Sequence, residues 1–209
     1  MRILIIGSKG NMGRRYVAIC KYLGHEVVEC DLHNDAAIMD NPPKVDRCII
    51  ATPLYWHTNW CSWCVLNKIP FLCEKPISKI IENIKALNKI CDDNRVDGRM
   101  VCNWMFLACP ERLIIGKENI YFDYYNTGKD GFWDLIQPVY IAKEFIFNNE
   151  SPIYKCSINE NHYSQLHFDK SYLIMIHDWI AESKYIWSLG DAIKAHEKLM
   201  EWKDKNWHE

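Results

Sequence analysis

RILIIGSKGNMGRR, residues 2 to 15, joins two hydrophobic periods through three glycines. The run Ile3, Leu4, Ile5, Ile6 is too short for a helix and has no polar alternation, which predicts a strand buried on both faces of a parallel sheet. From Met12 the apolar residues recur at Tyr16, Ile19 and Leu23, which is helical spacing, and Gly24 supplies the stop. Gly7, Gly10 and Gly13 therefore occupy a strand-to-helix turn. Downstream, EVVEC (26 to 30), RCIIAT (47 to 52), PFLCE (70 to 74) and RMVCN (99 to 103) read as further strands. A helix running to about Asn67 separates the third from the fourth, and a stripe at Ile77, Ile81, Ile84, Leu87 and Cys91 separates the fourth from the fifth. Strands alternating with helices at this spacing predict a doubly wound parallel α/β sheet with right-handed crossovers.

From about Met105 the alternation is lost. NIYFDYYN reads as a strand, GFWDLIQPVYIAKE as a helix, and 169 to 187 and 190 to 203 as two more helices. The expected organisation is a nucleotide-binding domain over 1–104 and a reduced, mostly helical α/β domain over 105–209, which serves substrate binding or oligomerisation. The chain has 209 residues, 49% of them apolar, which is ample for a sizeable core. With 25 basic and 27 acidic residues and no long basic run, nucleic acid and anionic membrane are poor partners. Glycines arrive directly after MRILIIG, and no apolar run approaches the ~18 residues of a membrane span. A cytoplasmic protein with a small-molecule substrate is expected, with a homodimer as the assembly to test. Among ten cysteines only Cys61 and Cys64 (CSWC) have a metal or redox spacing. Without a second such pair they read as two small apolar residues of one helix, and no metal is expected.

The glycine turn has a chemical use. A tight turn with bare backbone lets a pyrophosphate approach, and the free N–H groups of the helix N-terminus meet its charge. Asp31 ends the second strand, 18 residues past Gly13, where a carboxylate can accept from both ribose hydroxyls. Gly7, Ser8, Lys9, Gly10, Asn11, Met12, Gly13 and Asp31 are thus candidate dinucleotide-binding residues. Lys9, Arg14 and Arg15 could meet a 2'-phosphate and Asp31 would repel one, so NAD(H) is favoured and NADP(H) stays open. Two further segments leave strands at the same edge. ATPLYWH carries Thr52, Pro53 and His57 after the third strand, and CEKP carries Glu74, Lys75 and Pro76 after the fourth; both loops face the nicotinamide end of a bound dinucleotide, so Thr52, Pro53, His57 and Glu74 are further candidate cofactor-binding residues. Lys75 stands where it can polarise a carbonyl oxygen or assist proton transfer during hydride transfer, with Pro76 fixing the turn that aims it.

Taken in order, GSKGNMG, Asp31, ATPLYWH, CEKPIS and VCNWMF followed by a proline resemble the glucose-fructose oxidoreductase, inositol dehydrogenase and MocA (Gfo/Idh/MocA) family over about the first 110 residues. The resemblance implies a Rossmann domain, a nicotinamide-dependent oxidoreductase acting on sugars, cyclitols or their nucleotide derivatives, and Lys75 as the match to the family's catalytic lysine. It also implies Asp-x-x-x-His on a helix of the second domain. The best match gives Asp134, with Pro138 at the histidine position, so Tyr140 or His177 is the candidate substitute. The expectation is that Asp134, Tyr140 and His177 lie near the nicotinamide, under a cover formed by the helix around Asp134 and the helix over 169 to 180. Asp134 within an apolar helix is equally readable as a core pair or cap. Asp169 and His177 are readable as polar positions of an amphipathic helix, and Trp56, Trp60 and Trp63 as packing. Two alternatives remain: a dinucleotide-binding sensor or assembly subunit without turnover, and a dihydrodipicolinate-reductase-like enzyme. The latter is suggested by GSKGNMGRR, but its histidine-rich catalytic segment has no counterpart here.

Overall fold

The hydrophobic runs of the amino-terminal half are the strands of one parallel sheet. In the computed structural model, which describes residues 1–31, 35–107, 118–123, 135–148, 155–158, 161–163, 165–182 and 186–206, these are β1 (Arg2–Ile6), β2 (Glu26–Cys30), β3 (Arg47–Ile50), β4 (Phe71–Cys73) and β5 (Gly98–Met100). Helices α1 (Asn11–Tyr22), α2 (Asp35–Asp40), α3 (His57–Leu66) and α4 (Ile81–Asn94) connect them. Ile3, Leu4, Ile5, Ile49, Ile50, Phe71 and Leu72 are fully buried, as strands covered on both faces require. The strand order is β2-β1-β3-β4-β5, with Ile5 of β1 in register with Glu29 on one side and Ile49 on the other. From β1 the chain goes first to β2, then crosses back to β3 on the opposite side. Connections leaving in opposite directions open a crevice at the carboxyl ends of β1 and β3.

Helix ends follow local chemistry. After α1, Gly24 takes φ +80 and its N–H reaches Lys21 O, while the His25 N–H reaches Cys20 O, the 5→2 and 6→1 bonds of a Schellman motif. Lys68 and Arg95 adopt the same left-handed conformation after α3 and α4 without glycine. At the far edge, β5 is met by residues 186–188. The Met100 N–H donates to Trp187 O at 3.0 Å, and Arg99 bridges Ser188 in antiparallel sense. That contact covers an edge whose N–H groups would otherwise stand open.

By its contacts the chain divides into a first unit, Met1–Val101 with Ile186–Ile193, and a second, Cys102–Tyr185 with Lys194–Glu209. The second unit contains β6 (Glu118–Asp123), α5 (Ile136–Ile141), β7 (Ala142–Asn148), β8 (Lys155–Ile158), β9 (Asn161–Tyr163) and α6 (Gln165–Ile180). It also holds most of α7 (Leu189–Asn206). Its sheet runs β7-β6-β8-β9, parallel between β6 and β7 and antiparallel elsewhere. The helix expected to run through Glu144 stops at Ile141 and continues as a strand. Where the helix gives way to the strand, Lys198 Nζ donates to Tyr140 O at 3.1 Å and to Ala142 O at 2.7 Å, satisfying carbonyls at the helix end. Pro138 is third in α5, where no helical N–H bond is due.

Beside α5 runs a buried chain of hydrogen bonds. Trp104 N–H donates to Gln137 Oε1, Gln137 Nε2 to Asn103 Oδ1, Asn103 Nδ2 to Ser171 Oγ, and Ser171 Oγ to Phe168 O. Buried amides and hydroxyls are tolerated when bonded in this way. Among the described residues no helix is long and apolar enough to cross a membrane, and no cluster of three or more His, Cys, Asp or Glu could hold a metal. Cys61 and Cys64 are fully buried in the first unit's core.

Candidate functional site

The glycine turn between β1 and α1 is built by main chain. Gly7 has φ +82, and a Cβ there would stand 2.6 Å from Ala51 O at the end of β3. A Cβ on Gly13 would fall 1.9 Å from Gly7 O, so α1 packs on the turn only because Gly13 has no side chain. Gly10 differs. Its Cβ would meet Gly7 O at 3.2 Å, a contact that a small shift relieves, so the fold alone asks little of this glycine. The first two glycines of the turn are tied to neighbouring backbone. The Gly7 and Ser8 N–H groups donate to Cys30 O at 2.9 and 3.0 Å, and Gly10 N–H to Gly7 O at 3.0 Å. Asn11 and Met12 form the first turn of α1, exposed and half-buried.

Asp31, just past β2, accepts the Lys9 N–H on Oδ2 at 2.8 Å, which joins the glycine turn to the acidic loop. A carboxylate keeps further lone pairs for ribose hydroxyls. The Lys9 ammonium is turned to Glu29 at 2.5 Å, where Lys21 also reaches at 3.2 Å. Hydrogen bonds from Lys9 and Lys21 lower the Glu29 pKa, so Lys9 serves an acid of this chain. A cavity of about 390 Å³ opens here, within the range of small-molecule sites. Gly7, Gly10, Asp31, Thr52, Tyr55 and Trp56 are among its lining residues. Thr52 Oγ1 and Ser8 Oγ are buried without a hydrogen-bond partner, an arrangement that a bound polar group would relieve. Bare backbone at Gly10, a carboxylate at Asp31 and two orphaned hydroxyls together fit a dinucleotide. Trp60 is buried and meets Trp63 edge-on at 5.5 Å, whereas Trp56 and Tyr55 are exposed.

The loop after β4 is held by side chains instead. Glu74 is 8% exposed, and its Oε1 accepts the Tyr16 hydroxyl from α1 at 2.5 Å, while Oε2 accepts the Lys75 N–H at 3.1 Å. Lys75 is half-buried, and the peptide bond between it and Pro76 is cis. His57, in the first turn of α3, is 2% exposed. Its Nδ1 lies 2.8 Å from Pro76 O and its Nε2 lies 2.8 Å from Thr52 O. Pro53 is exposed at the cavity mouth. Glu74 and His57 therefore spend their polar atoms within the protein, supporting the loops on either side of them. Tyr16, which bonds Glu74, and Cys73, whose charge favours that of His57, carry no distinguishing mark in the sequence. Both sit in apolar stripes, where nothing distinguishes a tyrosine or cysteine with a polar partner from one that only packs.

Of the carboxy-terminal candidates, Asp134 lies outside the described residues. In the second unit Tyr140 is 8% exposed in α5, and the His177 side chain is 66% exposed in α6, 3.6 Å from Asp178. Asp169 is exposed on the same helix, as an amphipathic helix places its polar positions.

Residues 18–97 match an oxidoreductase family, GFO_IDH_MocA, described by its NAD-binding Rossmann fold. Over those residues, all within the first unit, the chain is similar to the Gfo/Idh/MocA family. The match begins after the glycine turn, so the case for that turn rests on its own geometry. No curated protein matches the sequence. Several solved structures share the fold. The WlbA (WbpB) dehydrogenase of Thermus thermophilus, solved with NAD and UDP-GlcNAcA, is 13% identical with a TM-score of 0.70, over 95% of this chain and 93% of that one. An oxidoreductase of Agrobacterium radiobacter, solved with NAD+, L-tartaric acid and magnesium, is 13% identical with a TM-score of 0.72, over 100% and 97%. A myo-inositol dehydrogenase of Corynebacterium glutamicum is 13% identical with a TM-score of 0.67, over 96% and 94%. Gfo/Idh/MocA proteins are NAD-binding oxidoreductases, and the sheet edge described above is where such a Rossmann domain takes its ligand.

Proposed function

We propose that the protein moves a hydride between NAD(H) and a hydroxyl or carbonyl carbon of a small polar, sugar-like substrate. The supporting observation is the convergence, on one sheet edge, of a bare glycine turn, Asp31, two unpartnered hydroxyls and a lysine loop braced from two sides. Gly10 and the start of α1 would take the pyrophosphate and Asp31 the adenosine ribose. The carboxylates of Asp31 and Glu29, the latter already holding Lys9, favour NAD(H) over a cofactor bearing a 2'-phosphate. When bound, the nicotinamide supplies the hydride acceptor or donor. Lys75 would hold the substrate oxygen and donate or accept its proton as the carbonyl forms or is reduced. Asp134, Tyr140 and His177 are the candidates for a second proton-transfer group. Solved neighbours holding UDP-GlcNAcA or L-tartaric acid support a polyhydroxylated substrate class.

Asp31→Ala is expected to weaken NADH by about tenfold, roughly 1.4 kcal/mol, and to weaken NADPH less, measured by calorimetry. Absence of NADH binding by the wild type would overturn the cofactor assignment. A second reading, a dinucleotide-binding sensor without turnover, draws on Pro138 at the position where the family resemblance implies histidine. Turnover of NAD(H) with any member of a panel of sugars, cyclitols and nucleotide sugars decides between the two readings.

A further inference from the structure

A neutral imidazole has one N–H, and a carbonyl oxygen can only accept. His57 nevertheless has a carbonyl oxygen 2.8 Å from each ring nitrogen, Pro76 O on one side and Thr52 O on the other. Both bonds form only if both nitrogens carry protons, which makes His57 an imidazolium although it is 2% exposed. A buried cation needs a counter-charge, and Cys73, the last residue of β4, provides one. The charges of Cys73 and His57 favour one another, and Cys61 of α3 favours the Cys73 thiolate. Burial works against both charged forms. For His57 it is outweighed by the charge of Cys73 and by the two carbonyls, leaving its pKa pushed up to about 9. For Cys73 the Cys61 hydrogen bond and the His57 charge outweigh burial and the repulsion of Glu74, bringing it down to about 6. Between those values both partners are charged.

We propose that His57 is a positioning residue, an imidazolium clamp paired with the Cys73 thiolate, that ties the loop after β3 to the loop after β4 and so fixes Lys75 beside the dinucleotide path. The geometry gives the clamp its reach. Thr52 lines the cavity, Pro76 follows Lys75, and His57 is the side chain bonded to both. Glu74 and Tyr16 brace the same loop from α1, so the backbone around Lys75 is fixed on both sides. The role given to the clamp rests on the hydride-transfer reading, while its chemistry is independent of it. The pairing raises the pKa of His57 and lowers that of Cys73, so acid that protonates the thiolate or base that deprotonates the imidazolium removes it.

Nitrogen-15 histidine spectra of the full chain at pH 7.5 test the charge state. Both His57 ring nitrogens are expected to be protonated, and one unprotonated nitrogen would overturn the clamp. Cys73→Ser removes the counter-charge without removing volume of consequence. His57 is then expected to deprotonate well below the wild-type value, and an unchanged titration would overturn the pairing. His57→Gln is expected to bind NADH within about threefold of wild type while amide exchange over residues 74–77 quickens about tenfold or more, since those amides open locally. Unchanged exchange in that variant would remove the positioning role. If His57→Gln does not fold, the wild-type and Cys73→Ser spectra still decide the clamp. Wild-type protein that fails to bind NADH would overturn the dinucleotide reading and the clamp's role with it; a neutral His57 in protein that binds NADH overturns the clamp alone.

Discussion

The glycine turn after β1 and the loop after β4 lie on the same edge of one sheet, yet they are held by opposite means. The first owes its shape to absent side chains: Gly7 at φ +82, and Gly13 where a Cβ would stand 1.9 Å from Gly7 O. The second owes its shape to present ones, with Tyr16 on Glu74 and His57 on Pro76, partners 58 and 19 residues away in sequence. A turn that must admit a charged ligand to its backbone gains from being bare. A loop that must aim one lysine gains from bracing.

Four substitutions separate the two kinds of support. Lys75→Met is expected to lose ~10²- to 10⁴-fold in hydride transfer, since a positioned proton donor contributes that much, while stability and NADH affinity stay near wild type. Single-turnover oxidation of NADH with an identified substrate measures it, and undiminished turnover would place Lys75 outside the chemistry. Next comes Gly13→Ala. The new methyl meets backbone, which yields poorly, so the loss should reach or pass the top of the ~1–3 kcal/mol range for overpacking, read by urea unfolding. Tyr16→Phe keeps volume but takes a donor from the buried Glu74 carboxylate, a loss of about 1.5–3 kcal/mol for a bond to a charged group. Its unfolding midpoint should fall while NADH affinity holds. The smallest change is expected of Gly10→Ala, whose Cβ has 3.2 Å to Gly7 O. Stability should move by less than about 1 kcal/mol. NADH affinity should drop about tenfold as the methyl fills the pyrophosphate's approach. Equal stability losses at Gly10 and Gly13 would erase the distinction between a packing glycine and a ligand glycine.

Legibility followed the same division. The five strands of the first unit, the helices α1, α3 and α4, the switch between β1 and β3 and the glycine turn all follow from local composition. A strand buried on both faces must be apolar, and a turn with φ > 0 or no room for Cβ must be glycine. α2 left no such mark, being six residues without a buried position. In the second unit local periodicity makes the apolar run around Pro138 one helix through Glu144, whereas the helix ends at Ile141. At the switch to β7 the carbonyls of Tyr140 and Ala142 are taken by Lys198, a residue of α7 far along the chain that local periodicity cannot register. Strands β8 and β9 likewise pair with partners that their own short sequences do not name.

His57 and Glu74 show the limit most closely. Their sequence positions, at the carboxyl ends of β3 and β4, bring them to the site's edge, and residue type alone suggests contact with a cofactor. Their orientation depends on what packs around them. His57 turns to two carbonyls, and Glu74 to the Tyr16 hydroxyl. The sequence by itself determined where the strands, glycines and lysine fall, because steric exclusion and hydrophobic period act within a few residues. Only the tertiary structure decided which polar side chains face the cavity and which brace it, because burying a charge or a hydrogen-bonding atom demands a partner, and that partner arrives from a distant part of the chain.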